Sequence, residues 1–205
     1  ADRQKGIRAM EDGLNEAAAR FFQSYRKGTG FQEPDFADAT ILLVKSYLRQ
    51  DKAERAAAAL DYHAAKSQGL DDPYYTESLT YWRGAVAMAK EQWQRTVEII
   101  QPLTETGKTA ENQRRALELL SRAYVQQRNW QKAQNVLSKL LEAIPQNELS
   151  GQVRMDLVKT HLANQQYEMA AQVLEAIDEK PGRVPPTTIQ LYRSLLRLKQ
   201  QEVDQ

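Results

Sequence analysis

The chain contains no cysteine, which removes disulfides, thiolate nucleophiles and sulfur-ligated zinc together. It also lacks a long apolar run. The longest, Ala39 to Val44, is interrupted by Thr40, far short of the roughly 20 residues a membrane-crossing helix requires. Neither sign of charge prevails: 28 Lys and Arg against 27 Asp and Glu leave a net charge of +1. Nothing in that balance draws the chain to nucleic acid or to an anionic membrane. Histidine occurs only as His63 and His161, and neither has the neighbours a zinc site or a general base needs, so both are expected to be structural. Sustained two-residue alternation of β-branched and aromatic residues is missing too, which argues against strands. Gly107-Lys108-Thr109 has Pro102 where a phosphate-binding loop needs glycine, and a helical pattern where it needs a strand. The sequence therefore offers no catalytic set, and no cofactor or metal is expected.

What is present is helical periodicity from end to end. A hydrophobic share of 41% is enough for a packed core. The pattern predicts eleven helices near 2–12, 14–27, 35–49, 52–67, 73–90, 92–105, 109–127, 130–143, 148–164, 167–179 and 186–201. Their boundaries have mechanisms. Glu33-Pro34-Asp35 and Asp72-Pro73 place proline in a first turn, where its missing N–H costs nothing. Asp12-Gly13 supplies a tight turn, and Pro145 and Pro181-Gly182 close helices.

A word recurs along these helices: an aromatic or aliphatic residue, two others, a small residue, three others, and a bulky apolar residue. It reads Leu14-x-x-Ala17-x-x-x-Phe21, Ala53-x-x-Ala56-x-x-x-Leu60, Trp93-x-x-Thr96-x-x-x-Ile100, Trp130-x-x-Ala133-x-x-x-Leu137 and Tyr167-x-x-Ala170-x-x-x-Leu174. The small residues are 39, 40, 37 and 37 positions apart, which marks stacked structural repeats. Short links within each repeat force antiparallel helix pairs. The small residue is expected at the closest approach, with the bulky residue one turn further on the same face.

Leu120-Ser121-Arg122-Ala123-Tyr124, Asn129-Trp130-x-x-Ala133-x-x-x-Leu137 and Pro145 together resemble a tetratricopeptide repeat (TPR). Leu157 to His161 with Tyr167-x-x-Ala170-x-x-x-Leu174 resembles the next repeat. Val44, Tyr47, Ala56 and Leu60 fit a third, and Gly84, Trp93 and Ile100 a degenerate fourth; residues 3–27 match only in their second half. The repeats exceed the usual 34 residues, and Thr96, Ala87 and His161 depart from the usual small or aromatic residues. The resemblance implies an all-α, right-handed superhelical solenoid over 1–205. Its repeats would lie near 1–30, 34–70, 73–107, 109–146 and 148–182, with a final helix at 186–201. It also implies a concave groove, lined by first helices, that holds a peptide or protein segment. A protein scaffold or adaptor without enzymatic activity is the expected function; a regulatory or substrate-presenting segment of a larger enzyme or secretion machine is the alternative. Long, irregular repeats are also similar to those of bacterial cell-envelope TPR proteins. With a chain that starts at Ala1-Asp2-Arg3-Gln4, as after removal of a signal peptide, this raises a periplasmic or otherwise exported location, with the cytoplasm as alternative.

The groove face is expected to include Ile41, Lys45 and Arg49; Tyr81 and Met88; Arg115 and Arg122; and Met155 and Lys159. Lys45, Arg122 and Lys159 fall at equivalent places, giving a basic row with apolar spots suited to an acidic or amphipathic segment. The asparagine places that clamp a chaperone tail in some TPR modules hold Lys45, Ala85, Arg122 and Lys159, so that ligand is not expected. In the last helix, Ile189, Leu191, Tyr192, Leu195, Leu196 and Leu198 cover more than one stripe. That width points to further repeats or to self-association through this helix. No direct membrane insertion is expected.

Overall fold

The computed structural model describes residues 1–31, 33–67, 73–144, 148–179 and 184–203. Asp72, Pro145 and Pro181-Gly182, expected as helix boundaries, lie outside the described residues. Every regular element among the described residues is an α-helix. They fall into two compact units, residues 1–108 and 109–205.

The first unit holds α1 (Asp2–Glu11), α2 (Asn15–Lys27), α3 (Pro34–Leu48), α4 (Ala53–Lys66), α5 (Pro73–Ala89), α6 (Trp93–Ile100) and the short α7 (Leu103–Thr106). The second holds α8 (Ala110–Gln126), α9 (Trp130–Ala143), α10 (Glu148–Ala163), α11 (Tyr167–Glu179) and α12 (Pro186–Val203). All eleven expected helices form, with the sixth broken after Ile100. Pro102 accounts for the break, because its nitrogen has no hydrogen to donate back into the preceding turn.

Helix starts follow local chemistry. Pro34 sits at the first turn of α3 behind an extended Glu33. Thr109 caps α8 by accepting from the Asn112 N–H at 3.1 Å, and Asn129 caps α9 by accepting from the Lys132 N–H at 3.4 Å.

The turns between paired helices share one geometry. Gly13 (φ 77°), Asp51 (55°), Glu91 (58°), Arg128 (55°) and Gln165 (59°) all occupy the left-handed region. In each turn the next residue donates its N–H to a carbonyl five positions back: Leu14 to Ala9 (2.8 Å), Lys52 to Tyr47 (3.0 Å), Gln92 to Ala87 (2.9 Å), Asn129 to Tyr124 (2.9 Å) and Gln166 to His161 (2.8 Å). This is the Schellman closure, which satisfies carbonyls that a helix end otherwise leaves bare. It ends the first helix and turns the chain into the second within a few residues.

The left-handed residue also fixes the repeat register. Ala56, Thr96, Ala133 and Ala170 lie five residues after it, and all four are fully buried. At the amino end the same offset from Gly13 selects Ala18, not Ala17. Ala18 and Phe22 are fully buried, whereas Ala17 and Phe21 are only half-buried. The first repeat is therefore shifted by one residue from the sequence expectation. Its reason is the offset to the turn, which both helices must share to cross at the same height.

The bulky partners Phe22, Leu60, Ile100, Leu137 and Leu174 are all buried. Two of them lie against glycine on the facing helix. A Cβ on Gly6 would collide with the Phe22 ring, and one on Gly84 with the Ile100 side chain. These glycines let the paired helices approach where the incoming side chain is large. In the second unit Met155, Val158, Ala170, Leu174, Ile177, Val184, Ile189 and Leu196 form one core that carries α12.

Candidate interaction surfaces

Counting back from the left-handed residue sorts the first-helix positions into columns. Ten residues before it stand Arg3, Ile41, Tyr81, Glu118 and Met155; six before, Ile7, Lys45, Ala85, Arg122 and Lys159; three before, Met10, Leu48, Met88, Val125 and Leu162. Offsets of three, four and seven keep each set on one helix face. Lys45, Arg122 and Lys159 each stand six residues before the left-handed residue of their own turn. Arg49 and Arg115 fall outside all three.

In the first unit this face is mostly apolar. Ile7 and Met10 of α1, Leu48 of α3, and Tyr81, Ala85 and Met88 of α5 are half-buried, and so is Lys45 at their centre. Two polar links hold α1 and α3 side by side and parallel. Arg3 Nε donates to Asp38 at 2.7 Å, and Arg49 Nη1 donates to the Met10 carbonyl at 3.0 Å. Arg49 is thus engaged in joining helices. Between α3 and α5 the Lys45 ammonium lies 5.3 Å from the Trp82 ring centroid, and Tyr81 meets Trp82 edge-on at 5.2 Å. A lysine seated on an indole keeps its charge while covering apolar surface.

Ile41, expected on the groove face, is instead buried in the first-unit core. Met155, expected there too, is only 1% exposed and packed with Val158, Ala170 and Leu174. Both sit where a first helix turns inward against its neighbours, and helical spacing alone does not distinguish that edge from the open face.

The corresponding face of the second unit is charged. Arg122 is exposed, Lys159 is exposed and pairs with Asp156 at 2.9 Å, and Glu118 pairs with Arg114, which also holds Glu111 at 2.8 Å. Arg115 is half-buried.

Sequence reasoning missed one assembly. Phe31, Phe36, Tyr62 and His63 come from the α2–α3 link, α3 and α4. Phe36 meets Phe31 edge-on at 5.3 Å and stacks on His63 at 5.1 Å. Arg26 lies over Tyr62 at 4.7 Å and Lys66 over Phe31 at 5.5 Å. No local pattern announces it, because the members are scattered over residues 26 to 66.

The two histidines are held differently. His161 Nδ1 lies 2.9 Å from Gln166 Oε1, which also accepts from Gln134 Nε2 at 2.8 Å. That oxygen has two lone pairs for two donors, which places the His161 proton on Nδ1. Ser67 Oγ donates to the His63 carbonyl at 2.7 Å and lies 3.1 Å from His63 Nδ1. The serine proton is committed, so Nδ1 donates and Nε2 keeps a bare lone pair, buried without a partner. Burial, with Arg83 and Arg26 adding to it, pushes the His63 pKa down to about 4. Among the described residues no three His, Asp or Glu side chains gather to hold a metal ion, and no helix is long and apolar enough to cross a membrane.

No protein-family model matches the chain, and no curated protein does. Solved structures match well. A Podosopora anserina putative kinesin light chain with nearly identical TPR-like repeats superposes with a TM-score of 0.69 at 18% identity, over 89% of this chain and 95% of that one. The MamA RS-1 ArsTM double mutant gives 0.64 at 16% identity, over 94% and 93%. A signal-transduction ATPase with numerous domains and a tetratricopeptide repeat sensor, from Pyrococcus horikoshii, gives 0.75 at 17% identity, over 94% of this chain and 30% of that one. The fold is that of TPR-like helical repeats.

Proposed function

We propose that this TPR-like chain is a protein-interaction module whose first-helix faces hold a segment of another protein. The observation that carries the reading is the half-buried apolar face of the first unit, formed by Ile7, Met10, Leu48, Ala85 and Met88 around Lys45 on Trp82. Such a face suits a segment with one or two large apolar side chains beside an acidic one. The apolar groups would displace water from the methionines, and the carboxylate would meet Lys45. On the second-unit face the exposed Arg122, beside Lys159 paired to Asp156, would be the cation an acidic segment meets.

The test is selection from a displayed peptide library, using the wild type and the Lys45→Glu and Met88→Glu variants, each checked for unchanged helicity. The wild type is expected to enrich acidic–apolar sequences, and each variant to bind them at least about tenfold more weakly, as loss of a central contact does. Equal binding of the same peptides by all three proteins would refute the assignment. An Arg122→Glu/Lys159→Glu variant tests the second face separately.

A sensor or regulatory segment of a larger protein is the second reading, favoured by the match to 30% of an ATPase that has a tetratricopeptide repeat sensor. An exported, cell-envelope setting belongs to the proposal as well, supported by the similarity of long, irregular repeats; fractionation of cells expressing the full gene decides it.

A further inference from the structure

A second concave surface lies on the far side of α5 from the face around Lys45. It is a cleft of about 210 Å³ between α4, α5 and α6. Its floor is Leu60 of α4 with Val86 and Ala87 of α5, all buried, and Ala57 and Ile99 stand half-buried beside them. At 100° per residue, Arg83, Val86, Ala87 and Lys90 centre about 180° round α5 from Tyr81, Ala85 and Met88. The two surfaces therefore share no side chain of that helix. We propose that this cleft is a second docking site, which takes one apolar side chain of an acidic segment of another protein.

Size and charge select that occupant. A volume of about 210 Å³ falls below the roughly 300–1,000 Å³ of small-molecule sites and suits a single side chain. The floor is wholly apolar, so a polar group entering it would lose its bonds to water and gain none. Around the mouth, Arg83 and Arg95 are exposed and form no ion pair among the described residues. Lys90 is already taken by Glu54 at 3.0 Å. Asp61 is the one carboxylate that lines the cleft among the described residues; Glu98 of α6 does not line it and accepts from Gln94 at 3.1 Å. Two uncommitted guanidinium groups against one carboxylate repel a basic segment and favour an acidic one. Asp61 also sets the direction, because it repels a carboxylate on the α4 side and leaves Arg95 on the α6 side to receive it. Arginine bordering an apolar floor is the composition that protein interfaces favour.

The test uses a Lys45→Glu/Met88→Glu chain, whose first-helix face is disabled, so that its outcome is separate from that of the proposed function. Selection of short displayed peptides on that chain should enrich sequences with one leucine, methionine or phenylalanine beside aspartate or glutamate. Adding Arg83→Glu and Arg95→Glu, both at exposed positions, should weaken these peptides at least about tenfold with helicity unchanged. Ala57→Phe fills the cleft without altering charge and should weaken them as much, whereas Asp61→Asn removes a repulsion and should tighten binding. Failure to enrich any such peptide overturns the proposal, as does equal binding after Arg83→Glu/Arg95→Glu or after Ala57→Phe. An Asp61→Asn chain that binds them no more tightly overturns the direction assigned to the segment.

Discussion

Replacing the four left-handed residues by glycine should raise stability, though it removes side chains. Asp51, Glu91, Arg128 and Gln165 hold φ between 55° and 59° and are all exposed. A residue with a Cβ loses about 1–2 kcal/mol in this region relative to glycine. Glycine also loosens the unfolded chain, which returns about 0.4–1 kcal/mol of that gain. The net expectation is about 0.5–1 kcal/mol per site. The sites lie in separate turns and should add, giving about 2–4 kcal/mol for the quadruple variant. Urea unfolding followed by circular dichroism measures it, with the midpoint rising and the slope unchanged. Ala58→Gly, at an exposed position inside α4, serves as a control and should destabilise by about 0.5–1 kcal/mol. The reverse change, Gly13→Ala, meets no atom within 4 Å of its new Cβ, so any loss there comes from backbone conformation alone. If Glu91→Gly and Arg128→Gly both lower the midpoint as Ala58→Gly does, the turn argument is wrong.

Gly84→Ala should destabilise by about 1–3 kcal/mol through overpacking on Ile100, and Ile100→Val in the same chain should recover part of the loss in thermal denaturation. The shifted register of the first repeat predicts that Ala18→Leu disrupts folding while Ala17→Leu is nearly neutral in the same assay. Leu174→Ala, which empties a buried site in the second-unit core, should cost about 2–5 kcal/mol by urea titration. His63 binds its proton less readily when folded, at about pH 4, than when unfolded. Its contribution is therefore complete above the unfolded value near 6.5 and declines as pH falls from there to about 4, by at most roughly 3 kcal/mol. His63→Phe keeps the stack on Phe36 and should flatten this part of the stability–pH profile; an unchanged profile would show that another group titrates.

Much of this was legible because repeated packing leaves repeated residues. Ala56, Ala133 and Ala170 are each fully buried, and a larger side chain at such a site would overpack. The left-handed turns were harder to see. Gly13 shows its conformation in its identity, but Asp51, Glu91, Arg128 and Gln165 do not, since their geometry is imposed by the helices on either side. Without those anchors, Ala17 and Ala18 are indistinguishable by composition. Ile41 and Met155 stand in register with Tyr81, ten residues before their turns, yet each packs into a core, which helical spacing alone does not reveal. The Phe31–Tyr62 assembly with Arg26 and Lys66 was out of reach for another reason: it exists only once α2, α3 and α4 are folded together.

Gln166 has a consequence for how the second unit comes apart. Its carbonyl oxygen serves an imidazole from its own hairpin and the buried Gln134 amide from the hairpin before it. Peeling away the later hairpin would break the Gln134 bond and open that amide to water, a net loss of about 0.5–1.5 kcal/mol beyond the packing itself. The two hairpins are thereby tied at their margin by a directional bond as well as by packing.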